Sequence, residues 1–269
     1  MRAFLGLVKA EMLLVYAEVF RRKSILFMSI LWPYVMTAFM LALGYAAGSP
    51  EVFLRRVGAS PVLFLATASY VLFSTLTVVD DVMWRPVYDE NAGALPYIVS
   101  SPISTVLHYA AIPVPRFTLS LVLGATFLLP VFTLQEGLDG LLSGLIVVAI
   151  SVVAALTFIP VAVAVGLGLY SLGGESWRAI NVIRPLFLVA MGVYYPRWML
   201  SKVAYALTAL LPPANCVEVA QRVVVGLGKL NEVLLPLTLA VVLAILQMYP
   251  MRRSARRWEV TKLREGVRV

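Results

Sequence analysis

Ser24-Ile-Leu-Phe-Met-Ser-Ile-Leu-Trp-Pro-Tyr-Val-Met-Thr-Ala-Phe-Met-Leu-Ala-Leu-Gly-Tyr-Ala-Ala-Gly-Ser-Pro50 contains no Asp, Glu, Lys or Arg. A helix needs about 20 mainly apolar residues to cross the hydrocarbon core of a bilayer, and this stretch exceeds that length. Its apolar residues run on without alternating with polar ones, which favours a helix over a barrel strand. Pro33 marks a kink near its start. The same test, carried along the chain, predicts spans at about 24–48, 58–80, 116–135, 141–165, 177–195 and 233–251. The second ends at Asp80 and Asp81, and Pro160 divides the apolar run that holds the fourth. The glycine-rich Gly166-Leu-Gly-Leu-Tyr-Ser-Leu-Gly-Gly174 is read as a loose extension outside the membrane. The fifth fits least well and needs Arg178 and Arg184 to snorkel towards the headgroups. The sixth stops at the basic run Arg252, Arg253, Arg256 and Arg257. The chain therefore reads as an all-α polytopic membrane protein, one domain over residues 1–269.

Composition agrees. Of 269 residues, 61% are hydrophobic and 13% charged, where soluble domains run at about 45–50% and about 25%. The net charge of +8 does not point to nucleic acid, because the basic residues flank apolar runs instead of gathering on a polar domain. The single cysteine, Cys216, excludes an internal disulfide, and the single histidine, His108, excludes a multi-histidine metal site. Lys9, Glu11 and Glu18 interrupt the first twenty positions, so the N-terminus is expected to remain in the mature protein. With six spans, the outer segments hold Arg55, Arg56, Arg197, Lys202, Arg222 and Lys229, and the other 16 of the 22 Lys and Arg fall inside. That bias predicts both termini in the cytosol of a plasma-membrane protein, with 252–269 a basic cytosolic tail.

The usual catalytic signatures are missing. The sequence has no G-x-x-x-x-G-K-[ST], H-E-x-x-H, thiol pair or G-x-S-x-G. Adjacent helical residues point about 100° apart, so Asp80 and Asp81 are not a converging acid pair, and Asp81 is expected to pair with Arg85. The cores of the spans carry no ionisable groups, which argues against an ion-coupled secondary transporter. Phe187, Tyr194, Tyr195, Trp198 and Tyr205 read as an interfacial aromatic belt in preference to a substrate path.

Two interruptions are more informative. Tyr205 to Val217 is apolar but too short to cross, and Pro212 and Pro213 close it. It suits a re-entrant or interfacial hairpin with Gln221 to Lys229 as its returning arm. A seventh crossing is the alternative and would place the two basic ends on opposite sides. On the other face lies Asp89-Glu-Asn-Ala-Gly-Ala-Leu-Pro-Tyr-Ile-Val-Ser-Ser-Pro-Ile-Ser104, mostly uncharged after Glu90 and too punctuated to cross. Pro96 suits the first turn of a short helix, Ser101-Pro102 breaks it and Ser104 caps the next. An apolar segment facing the cytosol is a docking surface.

Here the sequence resembles the membrane permeases of ABC type-2 exporters. In that family an acidic residue, G-T-L-E, an apolar turn and S-P-[IV]-S join spans two and three, and the matching residues are Glu90, Gly93-Ala-Leu-Pro96 and Ser101-Pro-Ile-Ser104. The family's G-x-x-Y-P turn and proline-marked hairpin match Gly192-Val-Tyr-Tyr-Pro196 and Leu211-Pro-Pro213. The resemblance covers essentially the whole chain. It departs where Ala94 and Pro96 replace the family's Thr and Glu, and Glu90 is placed to supply the lost carboxylate.

The resemblance implies that Asn91 to Val99 is a coupling helix seated in a separate cassette ATPase subunit. Asp89, Glu90, Gly93, Leu95, Pro96, Ile98, Ser101 and Pro102 would form that contact. It also implies an interfacial helix over 1–23 that touches the same subunit near Arg21, Arg22 and Lys23, where Glu18 can support Arg22. Gly192, Tyr195, Pro196, Pro212 and Pro213 would shape the hairpin. ATP and Mg would sit on the partner, with no cofactor or metal in this chain, and two copies or a paralogous pair would enclose the pathway among membrane lipids. The expected function is export of a drug-like, lipid or glycan substrate. An enzyme or assembly factor for lipid-linked substrates is the second reading; it would use Glu218, Gln221 and Arg222, which otherwise read as a solvated face. A secondary transporter ranks third.

Overall fold

The computed structural model describes residues 2–172, 176–226 and 230–264. Lys229, Gly173, Gly174, Met1 and the tail beyond Arg264 lie outside the described residues. Among the described residues the chain forms helices and turns and no strand. The helices are α1 (Arg2–Val15), α2 (Lys23–Ala47), α3 (Pro50–Val57), α4 (Pro61–Asn91), α5 (Leu95–Ser100) and α6 (Thr105–Ala111). They continue with α7 (Pro113–Tyr170), α8 (Ser176–Met191), α9 (Lys202–Ala209), α10 (Pro212–Val225) and α11 (Leu230–Arg264). A π-helical turn, Tyr16–Phe20, joins α1 to α2.

Four helical stretches are long and apolar enough to cross a membrane: Lys23–Tyr45, Pro61–Asn91, Thr105–Tyr170 and Asn231–Arg264. The third is too long for one crossing. Its α7 part holds 58 residues, roughly 87 Å if straight, against a hydrocarbon core of about 30 Å. At Gly137 the backbone leaves the helix, with φ 65° and ψ −138°. A Cβ at Gly144 would lie 3.1 Å from Leu129 Cδ2, whereas a straight helix separates those residues by about 22 Å. α7 is thus a hairpin whose arms, 113–136 and 138–170, pack on each other. Gly140 sits in the crease, where a Cβ would be 2.2 Å from the Phe132 carbonyl oxygen.

α4 is the central post. In its most apolar window 83% of residues are buried, against 11% for α2 and for α11 at the periphery. Leu63, Tyr70, Val78 and Met83 of α4 meet Phe127, Leu128, Phe132, Phe158 and Ala162 of α7 in one core, which Cys216, Val217 and Ala220 of α10 complete. Buried hydroxyls bond to their own helix: Thr75 Oγ1 donates to Val71 O at 2.7 Å and Ser151 Oγ to Val147 O at 2.8 Å. Such back-bonding lets Ser and Thr sit in an apolar interior without an orphaned donor.

Several boundaries differ from the sequence expectation. Asp80 and Asp81 do not end α4, which runs on to Asn91 because its acids meet arginines from other helices. The glycine-rich stretch after Val165 stays helical to Tyr170, since Gly166 and Gly168 let α7 close on Met83 and Ser254. The basic run after Met251 is helical, carried by α11 to Arg264. Pro212 and Pro213 lie inside the apolar piece, at the start of α10. α9 and α10 bend by 115° just before them, so the second helix of the pair begins at Pro212 and not at Gln221. Proline is at home in the first turn of a helix, where its missing N–H would be unpaired anyway.

Candidate functional site

Where α4 passes Asp80, three helices contribute arginines to its acids. Arg85 donates to both carboxylate oxygens of Glu11 on α1, at 2.9 and 3.0 Å, and through Nε to Asp89 at 2.7 Å. Arg116, near the start of α7, pairs with Asp81 at 3.0 Å and with Glu18 of the π-helical turn. Arg184 of α8 reaches Asp80 at 2.8 Å. The expected pairs Asp81 with Arg85 and Glu18 with Arg22 therefore do not form. Asp81 faces α7, Arg85 turns towards α1, and Glu18 is taken by Arg116. Asp80 and Asp81 diverge onto different helices, as adjacent helical residues must.

This clasp borders a cleft of about 590 Å³ between α1 and α4, to which Arg22 also contributes. Glu11 and Asp89 are both buried, so each bond between ionised groups is worth about 1.5–3 kcal/mol. Glu11→Gln is expected to loosen α1 and speed tryptic cleavage at Arg21, Arg22 or Lys23 several-fold, read by mass spectrometry. A cleavage rate equal to wild type would show that the clasp does not hold α1.

The clasp adjoins the segment read as a docking surface. α4 ends in a turn in which Ala94 N donates to Asp89 O at 2.8 Å and Gly93 takes φ 66°. Pro96 lies in the first turn of α5, and Ser101 terminates it in extended backbone. Ser101 Oγ accepts from Ile103 N at 3.2 Å, and Ser104 Oγ caps α6 by accepting from Leu107 N at 3.3 Å. Leu95 and Asp89 point inward and are buried, while Glu90, Gly93, Tyr97 and Pro102 are exposed and Pro96, Ile98 and Ser101 are half-buried. Tyr97, 78% exposed, dominates the outer face. Lys262 of α11 reaches Glu90 at 3.6 Å, so α11 braces the end of α4 from which α5 springs.

Arg21, Arg22 and Lys23 are exposed at the joint between α1 and α2. Beside them opens a groove of about 410 Å³ between α2 and α4. Ile25, Met28, Trp32, Phe73 and Leu76 wall it, and the Asp80–Arg184 pair closes one end. Asp80 Oδ1 and Arg184 Nε are buried there without a hydrogen-bond partner. An apolar trough with a polar end suits an amphiphile.

At the other end of the bundle a second polar cluster forms around Arg197, which is 0% exposed. Its guanidinium donates to Ala214 O at 2.6 Å, Glu218 Oε2 at 3.2 Å and Thr208 Oγ1 at 3.2 Å, and lies 5.0 Å from the Tyr205 ring centre. Glu218 also accepts from Arg222, which continues to Glu232 at 2.8 Å. Gln221 Nε2 donates to the carbonyls of Gly192, Val193 and Tyr195, so α10 clamps the Gly192–Pro196 turn from below. Gly192 has φ 66°, and a Cβ on it would be 2.5 Å from Arg197 Cγ. Glu218 and Gln221 are buried, which overturns their reading as a solvated face; Arg222 is mostly covered. Sequence reasoning took Arg197 as a loop cation and missed its burial and partners. The signal was Asn215, Glu218 and Arg222, at i, i+3 and i+7 on one face of an otherwise apolar helix. No family model matches this chain, and comparison with curated proteins finds no match either.

Proposed function

We propose that the chain is the permease subunit of an ATP-driven ABC exporter, with six spans and both termini in the cytosol of the plasma membrane. The spans are α2, α4, the two arms of α7, α8 with its following turn, and α11; α9 and α10 form a re-entrant hairpin on the outer side. The observation that carries the reading is the seating of α5. Its Leu95 is buried in the core, its Tyr97 faces outward, and its root is fixed to α4, α1 and α11 through Asp89, Arg85, Glu11, Glu90 and Lys262. A body that pushes on Tyr97 would move α4, which is continuous from Pro61 to Asn91 with Pro86 inside it. That is what a link to a separate ATPase must do. Closure of two cassette ATPase subunits around ATP and Mg would bias the permease between inward- and outward-facing states. Two copies, or one copy and a paralogue, would enclose the path. The groove between α2 and α4 suits a drug-like, lipid or glycan-lipid substrate with an apolar body and a polar head.

The second reading, an enzyme or assembly factor acting on lipid-linked substrates, draws on the convergence of Arg197, Glu218 and Gln221. It ranks lower because these groups are spent on one another and on backbone carbonyls in a closed cluster.

The topology is testable by thiol labelling. Cys216 is buried, so Ser100→Cys is expected to react only from the cytosol and Ser201→Cys only from outside, in a Cys216→Ala background. Labelling of both from one side would contradict six crossings.

A further inference from the structure

Beyond Met251, α11 carries Arg252, Arg253, Arg256, Arg257 and Arg264, all exposed. Among the described residues none of these five has an acidic partner. Among the described residues, Glu259 meets Thr105 at 3.4 Å and Glu90 meets Lys262. Like charges three and four residues apart weaken a helix. This one is held from its other face. Met251, Ala255 and Trp258 are buried, and Trp258 stands edge-on to Tyr109 with ring centres 5.5 Å apart. The packing fixes this basic face, and no acid among the described residues neutralises it.

That face is concave. Arg256, Arg257 and Arg264 line a groove of about 410 Å³ with Ser171 and Thr261, closed on one side by the end of α7. Guanidinium forks match phosphate oxygens two at a time, and hydroxyls add donors to an unprotonated oxygen. Ser171 Oγ donates to Gly168 O at 2.7 Å and can turn to a phosphate. The borders are apolar: Leu172 is 81% exposed, with Leu263 and Val260 also exposed. Arginines beside uncovered aliphatic side chains match the junction of headgroup and acyl chain. Arg256 and Arg257 stand five and six residues past Met251, about 8–9 Å along the axis, within reach of the headgroup layer for a long side chain.

We propose that this groove binds the phosphate of an anionic phospholipid from the leaflet on the C-terminal side, through Arg256, Arg257 and Arg264. The bound lipid would neutralise the end of α11 beside α5, so that leaflet composition bears on the segment read as the ATPase docking site. Only this last consequence rests on the exporter reading; the lipid site itself needs no ATPase.

The test uses the full chain alone in neutral detergent. Short-chain phosphatidylglycerol and phosphatidylcholine are titrated separately and bound lipid is counted by native mass spectrometry. The wild type is expected to retain phosphatidylglycerol, and the triple variant Arg256→Gln, Arg257→Gln, Arg264→Gln to lose affinity at least about tenfold. Arg55→Gln with Arg56→Gln, on the outer helix α3, should bind as wild type. A triple Arg→Lys variant at the same three positions keeps the charge and should fall between. Equal retention of phosphatidylcholine, or undiminished phosphatidylglycerol in the Gln variant, overturns the proposal. So does inorganic phosphate or glycerol phosphate binding as tightly as the lipid, which would make the groove a soluble-anion site. Loss of a co-purifying ATPase in the Gln variant with lipid binding intact would assign the arginines to a protein partner instead.

Discussion

Arg197→Met is expected to destabilise the protein by about 3–5 kcal/mol, because it leaves Glu218 buried with its inner oxygen unpaired. Methionine keeps much of the side-chain volume and removes the charge, so the loss is electrostatic more than steric. The carbonyl of Ala214 and the hydroxyl of Thr208 lose their donor in the same step. In a chain of this size the melting temperature should fall on the order of 10 °C, read by size-exclusion after heating in detergent. Glu218→Gln alone should also destabilise, since Arg197 then keeps only neutral acceptors. The double variant should cost less than the two added together, the mark of a coupled pair. A wild-type melting temperature for Arg197→Met would mean that the cluster does not hold the Gly192–Pro196 turn.

The second large effect separates docking from folding. Leu95→Asp places a charge where the structure buries an aliphatic side chain in the core, and it should lower expression and melting temperature before any partner is considered. Tyr97→Asp changes an exposed side chain and should leave melting within about 0.5 kcal/mol of wild type. It is nevertheless expected to reduce recovery of the ATPase about tenfold, because an aromatic anchor at the centre of a docking face carries much of its binding energy. Recovery unchanged in Tyr97→Asp would place the docking face elsewhere.

The contrast between these two variants also shows what a sequence can convey. Composition and uninterrupted apolar runs identified the long helices, because a bilayer imposes the same length on every span. Pro96, Ser101 and Ser104 were legible as punctuation, since capping and helix breaking depend on neighbours a few residues away. Which side of α5 faces inward was not, because Leu95 and Tyr97 differ by packing against α4 and α11 and not by local pattern. Asp80 and Asp81 looked like the end of a span for a related reason. Their partners Arg184 and Arg116 lie far along the chain, with Arg184 104 residues from Asp80. The same holds for Arg85 and Glu11, 74 residues apart, so charges that locally suggest solvent are neutralised by folding. The Arg197 cluster was hidden by the habit of reading arginines outside a span as loop residues. The polar row on α10 was nevertheless visible at helical spacing.

These ion pairs give the proposed mechanism its physical basis. A docking helix moves a transport path only if it is fixed to the spans more firmly than to its own loop. Here the Glu11–Arg85–Asp89 group lies directly at the root of α5, and Asp80–Arg184 lies at the end of the groove between α2 and α4. A tilt of α4 would alter both, linking the docking face to the polar end of the groove through one helix.

Affinity purification of the tagged chain from gently solubilised membranes tests that account most directly. It predicts a cassette-type ATPase in near-equal amount with the wild type, and its loss with Tyr97→Asp. Repeated purification of a folded chain without any such ATPase would contradict it.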